Sequence, residues 1–541
     1  MKTLYKYSKL IHKWTSIIIS IFIVWMGISG ILLNHPELIS KFSVPKSMIP
    51  SNYYFENWNR SSISDYKYFQ TNKNLHIIGG YEGIFVSTDG GKHFKRLITK
   101  GLPNSQYYCK TKSVYLLEDS IPKGILAGTF GGLYYYNFEK RYWQKLKLEE
   151  ENEKVVKILD YKDSIAVFSS SNLYLIDKQL QSNPHKVKLL RDERNNKLTL
   201  IELFFQLHTG EIWGISGKII FDIAGLAVVF LSISGLLIWI LPKTSKIKIK
   251  LKEKIKEIKW YLYKVLYDYH LKIGIYVSII LLIIGITGFF MRPPAITMIL
   301  DGEIDSDKIP FLKINNPWQD RIRNAMYDKI NDLIIIDAKD GFWISNNGEN
   351  KVFKKKLPPV PIFAMGATVM ELDNNGDYII GSFSGLFRIS TLNNRVVDAL
   401  SGQVPMSISL IRPGSNLITS YFTMPYGEEF ITTHFEGLRA INNIFDYSNY
   451  FIPPKELISN FRMPLWNYLF ELHNGRIFQF LIGDLYILII PLGAILFVLS
   501  IITGIFDWLY IKINERKQLQ RRLKIINHNL EDIKEKQLEK I

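Results

Sequence analysis

Two stretches decide the fold: IHKWTSIIISIFIVWMGISGILLNHP at 11–36 and YHLKIGIYVSIILLIIGITGFFMRPP at 269–294. Each opens on a histidine and continues through about 20 apolar residues, the length a helix needs to cross the hydrocarbon of a bilayer. His12 precedes Gly27 by 15 residues and Gly30 by 18, and His270 precedes Gly285 and Gly288 by the same intervals. Matched landmarks in matched apolar runs indicate an internal duplication.

Two further apolar runs complete the pattern. LFFQLHTGEIWG (203–214) leads into one and YLFELHNGRIFQ (468–479) into the other, so that His208 answers His473 and Gly210 answers Gly475. At their far ends LSISGLLIW (231–239) answers LSIITGIFDW (499–508), and Gly235 and Gly504 each lead a tryptophan by four. The last run carries four extra residues and contains Pro491, where a kink is expected. Spans are expected at 14–33, 218–241, 273–291 and 483–509.

Charge sets the expected orientation. Segments 1–13, 242–271 and 512–541 hold 22 of the 67 Lys and Arg but 8 of the 50 Asp and Glu, so +14 of the net +17 lies in 73 residues. Basic residues crowded beside helix ends mark the cytoplasmic side. Both termini are therefore expected in the cytoplasm and the two long segments outside. The first run lacks a small-x-small cleavage site and reads as an uncleaved anchor. The clustering argues against a nucleic-acid protein, which would carry its charge on a folded face.

The expected order is a cytoplasmic N-terminus (1–13), helix one (14–35), a β-rich ectodomain (36–205), and the LHTG motif with helix two (206–241). A basic loop (242–271), helix three (272–291) and a second ectodomain (292–470) follow. The LHNG motif with helix four (471–510) and a basic helical tail (511–541) close the chain. The tail carries an apolar stripe at Leu519, Leu523, Ile526, Leu530 and Ile533, suited to a membrane surface or a partner.

The outside segments repeat on a smaller scale. IIGGYEGIFVS (77–87), LAGTFGGLYYY (126–136) and VFSSSNLYLID (167–177) are followed by IIDAKDGFWIS (335–345), IIGSFSGLFRI (379–389) and ITTHFEGLRAI (431–441). Strand phrases recurring every 40–52 residues suit propeller blades. STDGGKHF (87–94) resembles the Asp-box turn of some propellers. Three units per segment cannot close a ring, so one six-bladed assembly shared by both segments is expected. The fold class is thus membrane α plus β: a duplicated four-helix transmembrane bundle with two propeller-like ectodomain segments.

Chemistry concentrates in four of the ten histidines. His12 and His270 begin helices one and three; His208 and His473 precede helices two and four. If the halves are related by a twofold axis along the membrane normal, one pair faces the other near each surface. Facing imidazoles among apolar residues suit bis-histidine ligation of b-type haem. Gly27, Gly30, Gly285 and Gly288 admit either a porphyrin or a neighbouring helix. Zinc is a weaker rival, because no matched Glu, Asp or Cys completes four ligands. Cys109 is the only cysteine, so disulfides, CxxCH haem attachment and iron–sulfur clusters are excluded. His35 is a possible accessory ligand. His76, His93, His185, His434 and His528 have no repeat mates and are expected at the surface.

HKW…SGILLNHP, LHTGEIWG…SGLLIW, YHLKIG…ITGFF and LHNGRIF…ITG together resemble the PepSY-associated transmembrane family of bacteria, over roughly 130 residues. That resemblance implies an inner-membrane reductase of ferric siderophores with haem near both surfaces, held by His12 with His270 and His208 with His473. The ectodomains depart from the family's pattern. An electron would enter at the inner pair and leave at the outer pair for a periplasmic ferric complex. No flavin or nicotinamide domain is seen, so the donor would be membrane quinol or another protein. The alternatives are a membrane-anchored binding or sensing protein without redox activity, and a transporter subunit.

Overall fold

The computed structural model describes the chain except residues 151–152, 193–196, 245–252, 301, 310–315, 346–351, 357–358, 364, 374, 406–415, 443–445 and 539–541. Part of the expected basic loop (245–252) and the last residues of the tail therefore lie outside the described residues. The chain divides into a helical unit (Met1–Asn34, Leu203–Leu300 and Phe470–Ile541) and a sheet unit (His35–Glu202 and Asp301–Leu469).

The helical unit contains α1 (Lys2–Asn34), α2 (Leu200–Thr209, shared with the sheet unit), α3 (Gly214–Thr244), α4 (Glu253–Phe290), α5 (Leu465–His473, likewise shared) and α6 (Ile489–Leu538). Among the described residues, four helices are long and apolar enough to cross a membrane. α1 packs on α3 and α6, and α4 packs on the same two, which puts α1 and α4 on one diagonal of a four-helix bundle. Ile19, Ile23, Ala224, Val228 and Leu281 form its core. Outward, Ile21 is 80% exposed, Ile215 79% and Ile279 71%. An apolar belt of that kind is stable only in lipid, where helices satisfy every backbone group internally.

Small residues allow the close crossings. A Cβ on Gly27 would meet Val229 Cγ2 at 2.8 Å and the Gly225 carbonyl at 3.1 Å. A Cβ on Gly285 would meet Val498 Cγ2 at 2.8 Å. Both glycines serve helix packing.

The four extra residues of the second half are absorbed before its long helix begins. In the first half one 3₁₀ turn (Glu211–Trp213) leads directly into α3. In the second, Gln479–Ile482 follows such a turn, Gly483 breaks the path at φ +55°, and a further 3₁₀ stretch (Gly483–Leu488) leads to α6. Pro491 therefore lies in the first turn of α6, where no intrahelical N–H bond is lost. The expected kink is corrected to a helix start.

The sheet unit is built from six successive antiparallel meanders, at 65–96, 111–146, 155–187, 322–356, 369–398 and 418–440. Each repeat phrase forms the second hairpin of one meander. Gly83, Gly132, Gly341, Gly385 and Gly437 open its second strand at positive φ, a conformation that favours glycine. Neighbouring sheets bury apolar faces against each other: Ile77 with Val114, Leu126 with Val167, Phe168 with Trp343, Met326 with Phe387, and Val369 with Ile418. The sixth sheet meets the first where Phe422 packs on Tyr66, ring centroids 4.5 Å apart.

The two chain segments of this unit are also sewn together. Leu190–Arg191 joins the fourth sheet in parallel, Lys197–Thr199 pairs with Glu303–Asp305, and Ser43–Pro45 pairs with Arg462–Pro464. Arg191 grips Asp340 with both carboxylate oxygens at 2.9 and 2.7 Å and stacks on Trp343, while Arg321 Nε donates to Glu202 at 3.1 Å.

Among the unmatched histidines, His76 is not at the surface. It is 1% exposed, bonded to the Tyr66 hydroxyl at 2.6 Å and to the Lys73 carbonyl at 2.8 Å, because it sits on a strand whose residues are all covered. In the 87–94 turn the Asp89 carboxylate accepts from the His93 backbone and side chain, a structural clasp.

Candidate functional site

The helical unit brings the four matched histidines together in two pairs. The rings of His12 and His270 have centroids 6.4 Å apart with planes at 78°; those of His208 and His473 are 6.4 Å apart at 73°. His12 lies on α1 and His270 on α4, across the bundle diagonal. His208 and His473 end α2 and α5, each followed by a left-handed glycine, Gly210 or Gly475, that turns the chain toward the next helix. His12 and Gly30, which touches His473, stand five turns apart on α1, so the two sites are about 27 Å apart along its axis.

Each ring rests on a glycine of a neighbouring helix. A Cβ on Gly504 would lie 3.1 Å from His12 Cε1, on Gly235 3.3 Å from His270 Cε1, on Gly288 3.1 Å from His208 Cε1, and on Gly30 3.4 Å from His473 Cε1. Gly30 and Gly288 thus support the His208/His473 pair from the helices that begin with His12 and His270. Gly235 and Gly504, which the sequence shows only as landmarks before a tryptophan, support the His12/His270 pair.

All four Nδ1 atoms are held. His12 Nδ1–H donates to the Ser500 carbonyl at 2.8 Å, and His208 Nδ1–H to the Ile284 carbonyl at 3.1 Å, beside the Thr287 hydroxyl. His270 Nδ1 lies 2.9 Å from Ser234 Oγ, and His473 Nδ1 lies 2.7 Å from Ser29 Oγ. The same hydroxyls lie within reach of the Leu231 and Trp25 carbonyls, so they can donate there and accept from the imidazoles. Every ring therefore has its Nδ1 engaged by an oxygen, which leaves Nε2 to face a ligand, as outer-shell partners do for metal-binding histidines.

The spacing suits one metal between two rings. A ring nitrogen bonds a metal at about 2.0–2.1 Å and lies about 1.1 Å from its own centroid, so two rings in line across one ion stand about 6.3 Å apart. A third ligand class is absent: no group of three or more His, Cys, Asp or Glu side chains that could hold a metal ion occurs among the described residues. The donor set at each site is two imidazoles, which fits the axial positions of a haem iron. Beside the His12/His270 pair lies a cavity of about 510 Å³, walled by Gly235, Trp239, Gly504, Trp508 and apolar side chains of all four long helices. Cofactor sites are commonly concave, mostly apolar and about 300–1,000 Å³.

His35 lies just beyond α1, in the sheet unit, with its Nδ1 3.0 Å from Glu37 Oε1. The sheet unit holds its own cavity, about 970 Å³, bordered by Glu82, Arg96, Gln106, Cys109 and Arg462. Nearby, Lys110 is 3% exposed, its Nζ bonded to Asn467 Oδ1 and set 4.8–5.6 Å from the rings of Tyr81, Tyr107, Phe130 and Trp466. Burial pushes its pKa down to about 7, against the opposing pull of Glu82. Burial likewise raises the Glu82 carboxyl.

No curated protein matches the sequence. Among solved structures, the extracellular domain of a one component system from B. thetaiotaomicron superposes with a TM-score of 0.32 at 14% identity, covering 72% of this chain and 40% of that one. An ancestral GH74 enzyme gives 0.32 at 9%, covering 70% and 36%. Dihydro-heme d1 dehydrogenase NirN in complex with DHE gives 0.29 at 8%, covering 79% and 69%. Likenesses at these scores carry no weight for fold or function. The PepSY-associated TM region model matches residues 129–241 and 181–509, well over half of the sequence. The chain is therefore a multi-pass membrane protein that belongs to the PepSY-associated TM region family.

Proposed function

We propose that this protein is a haem-containing transmembrane electron-transfer protein that reduces a ferric complex, a siderophore complex being the substrate its family resemblance suggests. The observation that carries the reading is the repeated geometry: two histidine pairs, each at 6.4 Å, with every Nδ1 committed elsewhere. His12 with His270 would hold one b-type haem and His208 with His473 a second. Bound haem supplies a one-electron Fe(III)/Fe(II) couple. Ser500, Ser234, Ile284 and Ser29 fix the imidazole tautomers; Gly504, Gly235, Gly288 and Gly30 let the rings lie flush against the helices. The apolar walls of the bundle exclude water from the sites.

On this reading both termini are cytoplasmic, the membrane is the bacterial inner membrane, and the sheet unit is periplasmic. The six meanders form a single six-bladed propeller, the sixth blade closing on the first through Phe422 and Tyr66. The electron donor is membrane quinol. The test is an absorbance spectrum of the purified full-length protein before and after dithionite. A b-type spectrum with two haems per chain is expected, and a colourless preparation from haem-replete cells would sink the reading. Reduction of the loaded protein by a quinol analogue tests the donor separately.

A further inference from the structure

The outer end of the helical unit carries an unbalanced set of hydrogen-bond donors. Trp25 Nε1, Arg292 Nε, Asn474 Nδ2 and Arg476 Nε are all buried without a hydrogen-bond partner among the described residues. They belong to one neighbourhood. Asn474 follows His473, and Arg476 is two residues further. Trp25 packs on Phe478 at 5.1 Å, one turn before Ser29, which holds His473. Arg292 is one turn past Gly288, which supports His208, and feels the charge of Arg476. The acid that acts on both is Glu471, 2.5 Å from Arg476 Nη2; Arg292 also hydrogen-bonds Tyr486, which leaves its Nε unpaired. Two guanidinium groups against one carboxylate leave an excess positive charge.

The first half of the duplication has nothing comparable. In the register that matches His12 to His270 and His208 to His473, Arg292 becomes Asn34, Asn474 becomes Thr209, Arg476 becomes Glu211 and Trp25 faces Ile283. There the groups satisfy one another: Asn34 Nδ2 donates to the Thr209 carbonyl at 3.4 Å, and Glu211 pairs with Lys218 at 3.1 Å. The packing of two related halves therefore does not account for the donor cluster. A buried donor left unpaired is costly, more so when it is charged, so the cluster favours an acceptor. Arginine forks match carboxylates in geometry as well as charge.

We propose that Arg292, Arg476, Asn474 and Trp25 form a carboxylate-binding site at the outer end of the bundle. Two sources offer that chemistry: the propionates of a porphyrin held by His208 and His473, or the carboxylates of an anionic ferric chelate. The first source rests on the proposed haem reading; the second does not.

The experiment uses the full-length protein with Arg292→Gln, Arg476→Gln, the double variant and Arg292→Lys. Haem content, potentiometric titration and equilibrium binding of ferric citrate are measured. The haem at His12/His270 serves as an internal control for folding. If propionates are the ligand, each Gln variant lowers the midpoint potential of one of two waves, Arg292→Lys largely restores it, and reconstituting the wild type with haem dimethyl ester, which removes the negative partner instead, raises the potential of that same wave. If the chelate is the ligand, the potentials stay fixed and the dissociation constant for ferric citrate rises about tenfold or more in the double variant. A double variant that keeps both haems, both potentials and its ferric citrate affinity overturns the site. A wild type without a b-type spectrum defeats the haem reading instead, and the citrate titration alone then decides this one.

Discussion

The two halves of the helical unit agree where imidazoles meet glycines and disagree where the chain leaves the bundle. His12 on Gly504 mirrors His270 on Gly235, and His208 on Gly288 mirrors His473 on Gly30. Past those contacts the first half closes its polar groups on one another, whereas the second carries Arg292 and Arg476. The difference separates two demands on a duplicated sequence. Positions that build the paired sites are held in both copies, and positions that face outward from them are free to specialise in one.

The comparison breaks most visibly at the histidines. His270→Ala and His473→Ala, made separately, are each expected to remove about half of the b-type absorbance by taking one of two axial ligands from one site. Equal losses uphold the symmetry, and a variant that loses all colour would show that the sites load in order. Next in size is Asp340→Ala in the sheet unit. It strands Arg191, whose side chain is 6% exposed, leaves Arg321 with Glu202 alone, and is expected to cost about 3–5 kcal/mol in denaturant unfolding.

A sharper probe sets Gly504→Ala against Gly235→Ala. The added methyls would press on His12 at 3.1 Å and on His270 at 3.3 Å. Each is expected to cost about 1–3 kcal/mol by overpacking, and, in the haem-loaded protein, to change the ferric electron paramagnetic resonance signal of the His12/His270 site alone. An effect at only one of the two would end the equivalence of the halves.

The smallest effect is a pH dependence confined to the sheet unit. Lys110 titrates near 7 when folded and near its ordinary value when unfolded, so the unfolded chain holds more protons between those limits. Its contribution to stability therefore rises with pH from about 7 toward 10.5 and is lost below that window. Lys110→Met should flatten the slope of thermal stability against pH over that range, and an unchanged slope would contradict the assignment.

Much of this was legible from spacing. The duplication, the four matched histidines and the six hairpin phrases all follow from intervals along the chain, because helices and strands convert intervals into faces. Partnerships between elements were not legible. Helical periodicity places Gly30 on the face of His12, yet the ring it supports is that of His473 from another element. Ser29, Ser234 and Ser500 give no signal of their own, since a serine in an apolar run reads first as a packing residue. The place of Pro491 is not legible because the four added residues displace the helix start, which shifts the whole meaning of a proline. Arg292 and Arg476 give no signal when the halves are matched, because their information lies in a mismatch.

The contact between Tyr66 and Phe422 has a consequence for biosynthesis. The residues are 356 positions apart, with two long helices between them in the chain. At about 5–20 residues per second, a ribosome takes roughly 20–70 s to pass from one to the other. For that interval the face of the first sheet that will receive Phe422 has no mate. A nascent chain in this state needs shelter from aggregation, and its demand for a chaperone should fall abruptly once the last sheet emerges.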